Sequence, residues 1–201
     1  MSSAAKPALT MPAPKIANPA PLGLAGFGVT TVVLCLINAS ILPPEATMAV
    51  VPLAFSFGGL AQLITGVLEF KNGNTFGTVA FTAYGAFWLW YSMLVWTVGA
   101  GWLKPPAAVG VGAVLLMWGV FTCCLWVCTF WANKCIFATF LLLWITFFLL
   151  ASGDFGWTLG KKIGGITGML TGLLALYVSF AEVLNSSSAR EALPLGKPIV
   201  G

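Results

Sequence analysis

Among the polar side chains inside apolar runs, four stand out: Thr30 and Thr31 within "GFGVTTVVLCLIN", Asn38 at the end of that run, and Gln62 in "GGLAQLITG". Hydroxyls and amides donate and accept hydrogen bonds without carrying charge, so the chemistry they offer is the non-covalent holding of a small polar solute. They serve close helix packing equally well. For Gln62 the alternatives are a bond to another helix or a place on a wet path, because a side-chain amide in a bilayer is costly without one of them.

Covalent and metal chemistry find little support. The chain has no histidine, and its five cysteines (Cys35, Cys123, Cys124, Cys128 and Cys135) lie within or at the edge of apolar segments with no CxxC spacing. Such thiols read as buried packing groups rather than as a metal site. No nucleophile is paired with a base and no glycine-rich phosphate loop is present, so the expectation is a protein that is not an enzyme and uses no cofactor and no metal. Glu45 and Asp154 fall in loops, Glu69 at a segment end beside Lys71, and Glu182 near the end of the last apolar segment. A proton relay through the bilayer centre, which needs acids there, is not expected.

The elements that must position these residues follow from composition. Of 201 residues 59% are hydrophobic and only 7% charged, against about a quarter charged in a soluble domain. Most of the surface must therefore face lipid, and the net charge of +4 bears on topology rather than on nucleic-acid binding. Six windows are long and apolar enough to span, at 20 to 42, 47 to 68, 75 to 99, 107 to 129, 135 to 151 and 162 to 184. The breaks between them, such as "LPPEA", "EFKNGN" and "GWLKPP", are too short to be domains. The fold class is an all-α membrane protein, one six-helix transmembrane bundle over residues 18–184.

Residues 1–17, rich in proline, alanine and serine, read as a disordered cytoplasmic tail, without the charged lead and short apolar run of a cleaved signal, and residues 185–201 as a second cytoplasmic tail. An even number of spans puts both ends on one side. That side holds Lys6, Lys15, Lys71, Lys134, Arg190 and Lys197, against Lys104, Lys161 and Lys162 on the other, which predicts both termini in the cytoplasm. Trp88, Trp90, Tyr91, Trp96 and Trp102 read as an interfacial belt at the later end of the third helix. Loop lysines such as Lys161 and Lys162 set topology, or draw anions to a mouth.

Glycines map close helix contacts. Gly164, Gly168 and Gly172 recur every fourth residue on the sixth helix, and Gly58, Gly59 and Gly66 line one face of the second. Whether the neighbour is in the same subunit or another stays open at this level. "NPAP" at 18 to 21 is a rigid helix start, with Asn18 accepting from free amides of the first turn and Pro19 having no amide to lose.

The motifs "NPAPLGLAGFGVTT" at 18 to 31, "GGLAQLITGVLEFKNGNTFGTVAFTAYGAFWL" at 58 to 89 and "WGVFT" at 118 to 122 resemble the acetate uptake transporter family, of the bacterial succinate-acetate permease type. The match runs from Asn18 to about residue 195, with Asn18, Pro19 and Gly23 in its first motif. The resemblance implies a homohexamer in the cytoplasmic (inner) membrane, each subunit passing acetate and, more weakly, succinate. It also implies an apolar constriction, carried here by Phe27 in "GFG", Tyr84 in "AYGAFW" and Leu143 in "FLLLW". Thr30, Thr31, Asn38 and Gln62 would then line the polar part of the path. The chain departs from bacterial relatives in placing Cys35 and Ile37 where further polar residues often stand. The rival readings are a pore for small neutral solutes such as ammonia or water, and a membrane sensor or scaffold that transports nothing.

Overall fold

The computed structural model describes residues 16–200, so the tail read at 1–17 lies, but for residues 16 and 17, outside the described residues. Among the described residues, six helical spans are long and apolar enough to cross a membrane: Ala20–Asn38, Pro44–Lys71, Thr75–Gly99, Ala108–Trp131, Lys134–Asp154 and Thr158–Ser188. Every regular element among the described residues is helical. The chain is a multi-pass membrane protein, as the hydropathy windows predict.

The ends differ from those windows for local reasons. The first span stops at Asn38 because Ser40 takes a positive φ of 60° before the Pro43-Pro44 pair. The sixth runs from Thr158 to Ser188, longer at both ends than 162 to 184. Lys161 and Lys162 at its start keep their ammonium groups outward, so charge does not stop the helix there. Beyond Ser188 the chain turns back through Ala189 at φ 52°. Asn185 holds that turn, accepting from the amides of Ala192 (2.7 Å) and Leu193 (2.9 Å). Ile199 and Val200 then donate to the Phe130 carbonyl, which ties the segment across the ends of the fourth and fifth spans.

Three spans begin on the side where the described termini lie, the third and fifth capped by asparagine and the first preceded by one just before its Pro19 cap. Asn18 Oδ1 accepts from the Ala20 amide at 3.0 Å, Asn74 from Gly77 at 3.0 Å and Asn133 from Ile136 at 2.9 Å. Each satisfies an amide that has no intrahelical partner, a contribution of about 1 kcal/mol.

Around the bundle the fourth span packs on the fifth, the fifth on the sixth, the sixth on the first, and the first and third on the second. The third and fourth touch little along their length. The glycine seams lie inside the subunit: Gly168 faces Cys35 and Thr146, and Gly164 faces Leu150. A Cβ on Gly172 would stand 2.7 Å from Val32 Cγ2 and 2.9 Å from the Gly28 carbonyl oxygen. That backbone cannot retreat without parting the first and sixth spans. Gly172→Ala is expected to cost about 1–3 kcal/mol and to lower the thermal midpoint in detergent, whereas Gly110→Ala, with open space around it, should not.

Two packing expectations need correction. Trp88 is not interfacial: it is 3% exposed, packed against Phe87 and Tyr91, while Trp96 and Trp102 are exposed and face each other at 5.9 Å. Of the cysteines Cys35 is buried, but Cys124 and Cys128 are exposed on the fourth span. Lipid tails are as apolar as a leucine core, so a small apolar thiol fits either environment.

Candidate substrate pathway

A cavity of about 150 Å³ lies in the half of the bundle nearer the described termini. Its walls are apolar, with Leu24 and Phe27 from the first span, Phe81 and Tyr84 from the third, and Phe140 and Leu143 from the fifth. Gln62 enters it from the second span; the side chain is 1% exposed and its Oε1 has no hydrogen-bond partner.

The local fold of the second span explains that placement. Pro52 sits inside it and cannot donate to the preceding turn, and residues Ala54–Ala61, with Gly58 and Gly59, form a π-helical stretch that ends at Gln62. A π turn takes up extra residues and so rotates whatever follows it relative to a regular helix. Gly58 and Gly59 let the stretch sit against Trp88, Thr30 and Leu89.

Phe27, Tyr84 and Leu143, from three spans, come together at one cavity, and all three are nearly buried. The Phe27 and Tyr84 rings are 5.9 Å apart and tilted. Tyr84 donates its hydroxyl proton to Thr122 Oγ1 at 2.9 Å, and Thr122 in turn donates to the Trp118 carbonyl at 2.7 Å. This chain fixes the tyrosine ring across the weakly packed seam between the third and fourth spans. One turn further from the termini stands an aromatic cluster absent from the sequence reading. Phe87 lies 5.2 Å from Trp118 and 5.4 Å from Phe147, and Trp118 and Phe147 are stacked at 6.4 Å. The signal was available: Phe87 follows Tyr84 by three residues and Phe147 follows Leu143 by four, so each shares a helix face with a residue that the resemblance assigns to the constriction.

The other polar positions are not gathered at this cavity. Thr30 is fully buried and donates to the Gly26 carbonyl at 2.8 Å, beside Gly58. Thr31 is buried one turn beyond Phe27 with its hydroxyl oxygen unpartnered, and Asn38 is half-buried at the far end of the first span. Gly23 receives the Phe81 ring and the Thr65 methyl so closely that only hydrogen fits there.

Toward the termini the cavity meets an open vestibule of about 1050 Å³. Asn74 and Glu182 line both spaces, and Glu69, 2% exposed, lines the vestibule with Oε1 unpartnered. Asn18 Nδ2 donates to Glu182 Oε2 at 3.0 Å, so the side chain that accepts from the first amide of the first span also holds the sixth. At the opposite end Lys161 pairs with Asp154 at 3.4 Å. The arrangement can admit a small solute from the vestibule, offer it one buried amide, and oppose its further passage with an aromatic barrier.

Comparison with known proteins adds independent observations. The model of the GPR1/FUN34/yaaH family matches residues 2–195. The succinate-acetate/proton symporter SatP of Escherichia coli (strain K12) is 38% identical over 184 residues, covering 91% of this chain and 97% of the relative. Ammonia transport outward protein 2 of Saccharomyces cerevisiae is 38% identical over 185 residues, 86% of this chain and 64% of the relative. The solved structure of the bacterial acetate channel SatP superposes with a TM-score of 0.87 at 38% identity, over 90% of this chain and all of that one.

Proposed function

The chain belongs to the GPR1/FUN34/yaaH family, and from that premise we propose that it passes acetate and related small carboxylates, succinate among them, across the membrane. One observation carries the reading at the level of residues. Gln62, with an unpartnered amide oxygen, faces a cavity bounded by Phe27, Tyr84 and Leu143 from three spans. A bare carboxylate in an apolar constriction costs several kcal/mol even after relaxation. The buried amide offsets part of that cost for an anion and more of it for the neutral acid, whose hydroxyl donates where the anion cannot. The constriction therefore selects by width and by protonation state.

The experiment is uptake of labelled acetate into proteoliposomes well above the acid's pKa, with and without an imposed proton gradient, against empty liposomes. Flux above the empty control is expected, and its absence would overturn the reading. Accumulation that needs the gradient marks coupled transport, and equilibration indifferent to it marks a channel. The apolar constriction and the yeast relative named for ammonia transport favour a second substrate class, small neutral solutes. Ammonia flux that acetate does not compete with would favour it.

We place the protein in the cytoplasmic membrane with both termini inside, on the Lys/Arg asymmetry between its loops. We also infer a homohexamer. Support comes from the fourth span, whose exposed Leu116, Met117, Val120 and Val127 offer apolar surface to a neighbouring subunit. Native mass of the detergent-solubilised protein tests the subunit number.

A further inference from the structure

We propose that Glu182, together with Glu69, exchanges a proton with the transported carboxylic acid at the mouth on the side of the termini, an inference that rests on the transport reading above. The two carboxyls come from the sixth and second spans and face one vestibule, and among the described residues they are its only titratable lining groups. The first and third spans contribute Asn18 and Asn74 there, and the sixth adds Ser179, Ser186 and Ser187, none of which changes charge. Lys71 and Arg190, the nearest cations in sequence, are exposed, and the ion pair found among the described residues, Lys161 with Asp154, lies at the other end of the bundle. Neither glutamate thus has a cationic partner within 4.0 Å among the described residues.

Two carboxylates facing one vestibule repel each other, and an arriving acetate would be a third negative charge. A single proton shared among the three relieves the repulsion. Glu69, nearly buried with one oxygen unpartnered, is set apart from an ordinary solvated surface acid. Glu182 lines both the vestibule and the inner cavity, so a solute moving toward Gln62 passes it. Asn18, donating to Glu182 Oε2, is a positioning residue that leaves the other carboxyl oxygen free to carry the proton.

For a solute moving inward from the mouth, the O–H bond of the Glu182 carboxylic acid breaks and an O–H bond to the acetate oxygen forms. The bonding pair stays on Glu182 as carboxylate. The neutral acid goes on to the Phe27–Tyr84–Leu143 constriction, and Glu182 takes its next proton from water at the mouth or from Glu69. Passage in the opposite direction reverses each step.

The test is initial acetate uptake in proteoliposomes from about pH 5 to about pH 7.5, equal on both sides, with the empty-liposome rate subtracted. Above the acid's pKa the neutral fraction falls about tenfold per pH unit. A transporter that protonates its own substrate falls less steeply than that. Glu182→Gln keeps an oxygen for Asn18 and removes the transferable proton. Its uptake is expected to stay within about twofold of wild type at pH 5 and to follow the neutral acid down, at least tenfold below wild type at pH 7.5. The double variant E69Q/E182Q removes any substitution of one carboxyl for the other and should be at least as steep. Profiles parallel to wild type in both variants, or equal loss at both ends of the pH range, would overturn the inference. Wild-type flux no greater than that of empty liposomes would overturn the transport reading itself, and this inference with it.

Discussion

Phe27→Ala is expected to raise succinate flux about thirtyfold while acetate flux changes by no more than a few fold. The ring stands 5.9 Å from Tyr84 and is 6% exposed, so a four-carbon diacid can pass only by forcing it aside. Displacing a packed side chain costs about 1–3 kcal/mol, and removing about 2 kcal/mol from a barrier is about thirtyfold in rate. Acetate, being shorter, meets less of that cost and gains less. Stability provides the control. Phe→Ala in a sealed core costs about 3–5 kcal/mol, because the void stays empty, whereas a void that joins a solute pathway fills with water and costs less. A large fall in thermal midpoint with neither flux changed would mean that Phe27 is core and not constriction, and would remove it from the pathway.

The bundle was legible because each span is a long uninterrupted apolar run, and the start of the first helix because asparagine and proline act over a few residues. Gln62 stood out as an amide in an apolar run, but its direction did not. That direction follows the π-helical stretch Ala54–Ala61, and no hydropathy pattern marks a change of helix pitch. The three residues proposed for the constriction came from motif resemblance rather than from spacing, whereas helical spacing from Tyr84 and Leu143 leads to Phe87 and Phe147, whose ring centroids lie 5.4 Å apart. Trp88 and the exposed cysteines were misplaced because lipid and protein core are equally apolar, so hydropathy cannot say which one a residue faces. The approach of Glu182 to Asn18 across 164 positions is set by tertiary packing alone. Reading each glutamate as a helix-end residue was correct in sequence and blind to their shared vestibule.

Gln62→Leu should separate function from stability by moving them in opposite directions. The side chain is 1% exposed and its Oε1 is unpartnered, and a buried acceptor left unsatisfied costs about 1–3 kcal/mol. Leucine has nearly the same volume and nothing to satisfy, so the variant is expected to be as stable as wild type or more so. Acetate flux is expected to fall about thirtyfold. A carboxylic acid and a primary amide are complementary, the acid O–H donating to Oε1 and the amide N–H donating to the acid's carbonyl oxygen. Removing that pair strips the solute of its compensation in an apolar cavity, and about 2 kcal/mol of lost hydrogen bonding is about thirtyfold in rate. If Gln62 were instead an interhelical bond, stability would fall with the substitution and flux would follow the folded fraction. A destabilised variant whose flux per folded molecule matches wild type would therefore assign the amide to packing, and a stable variant with lost flux assigns it to the solute.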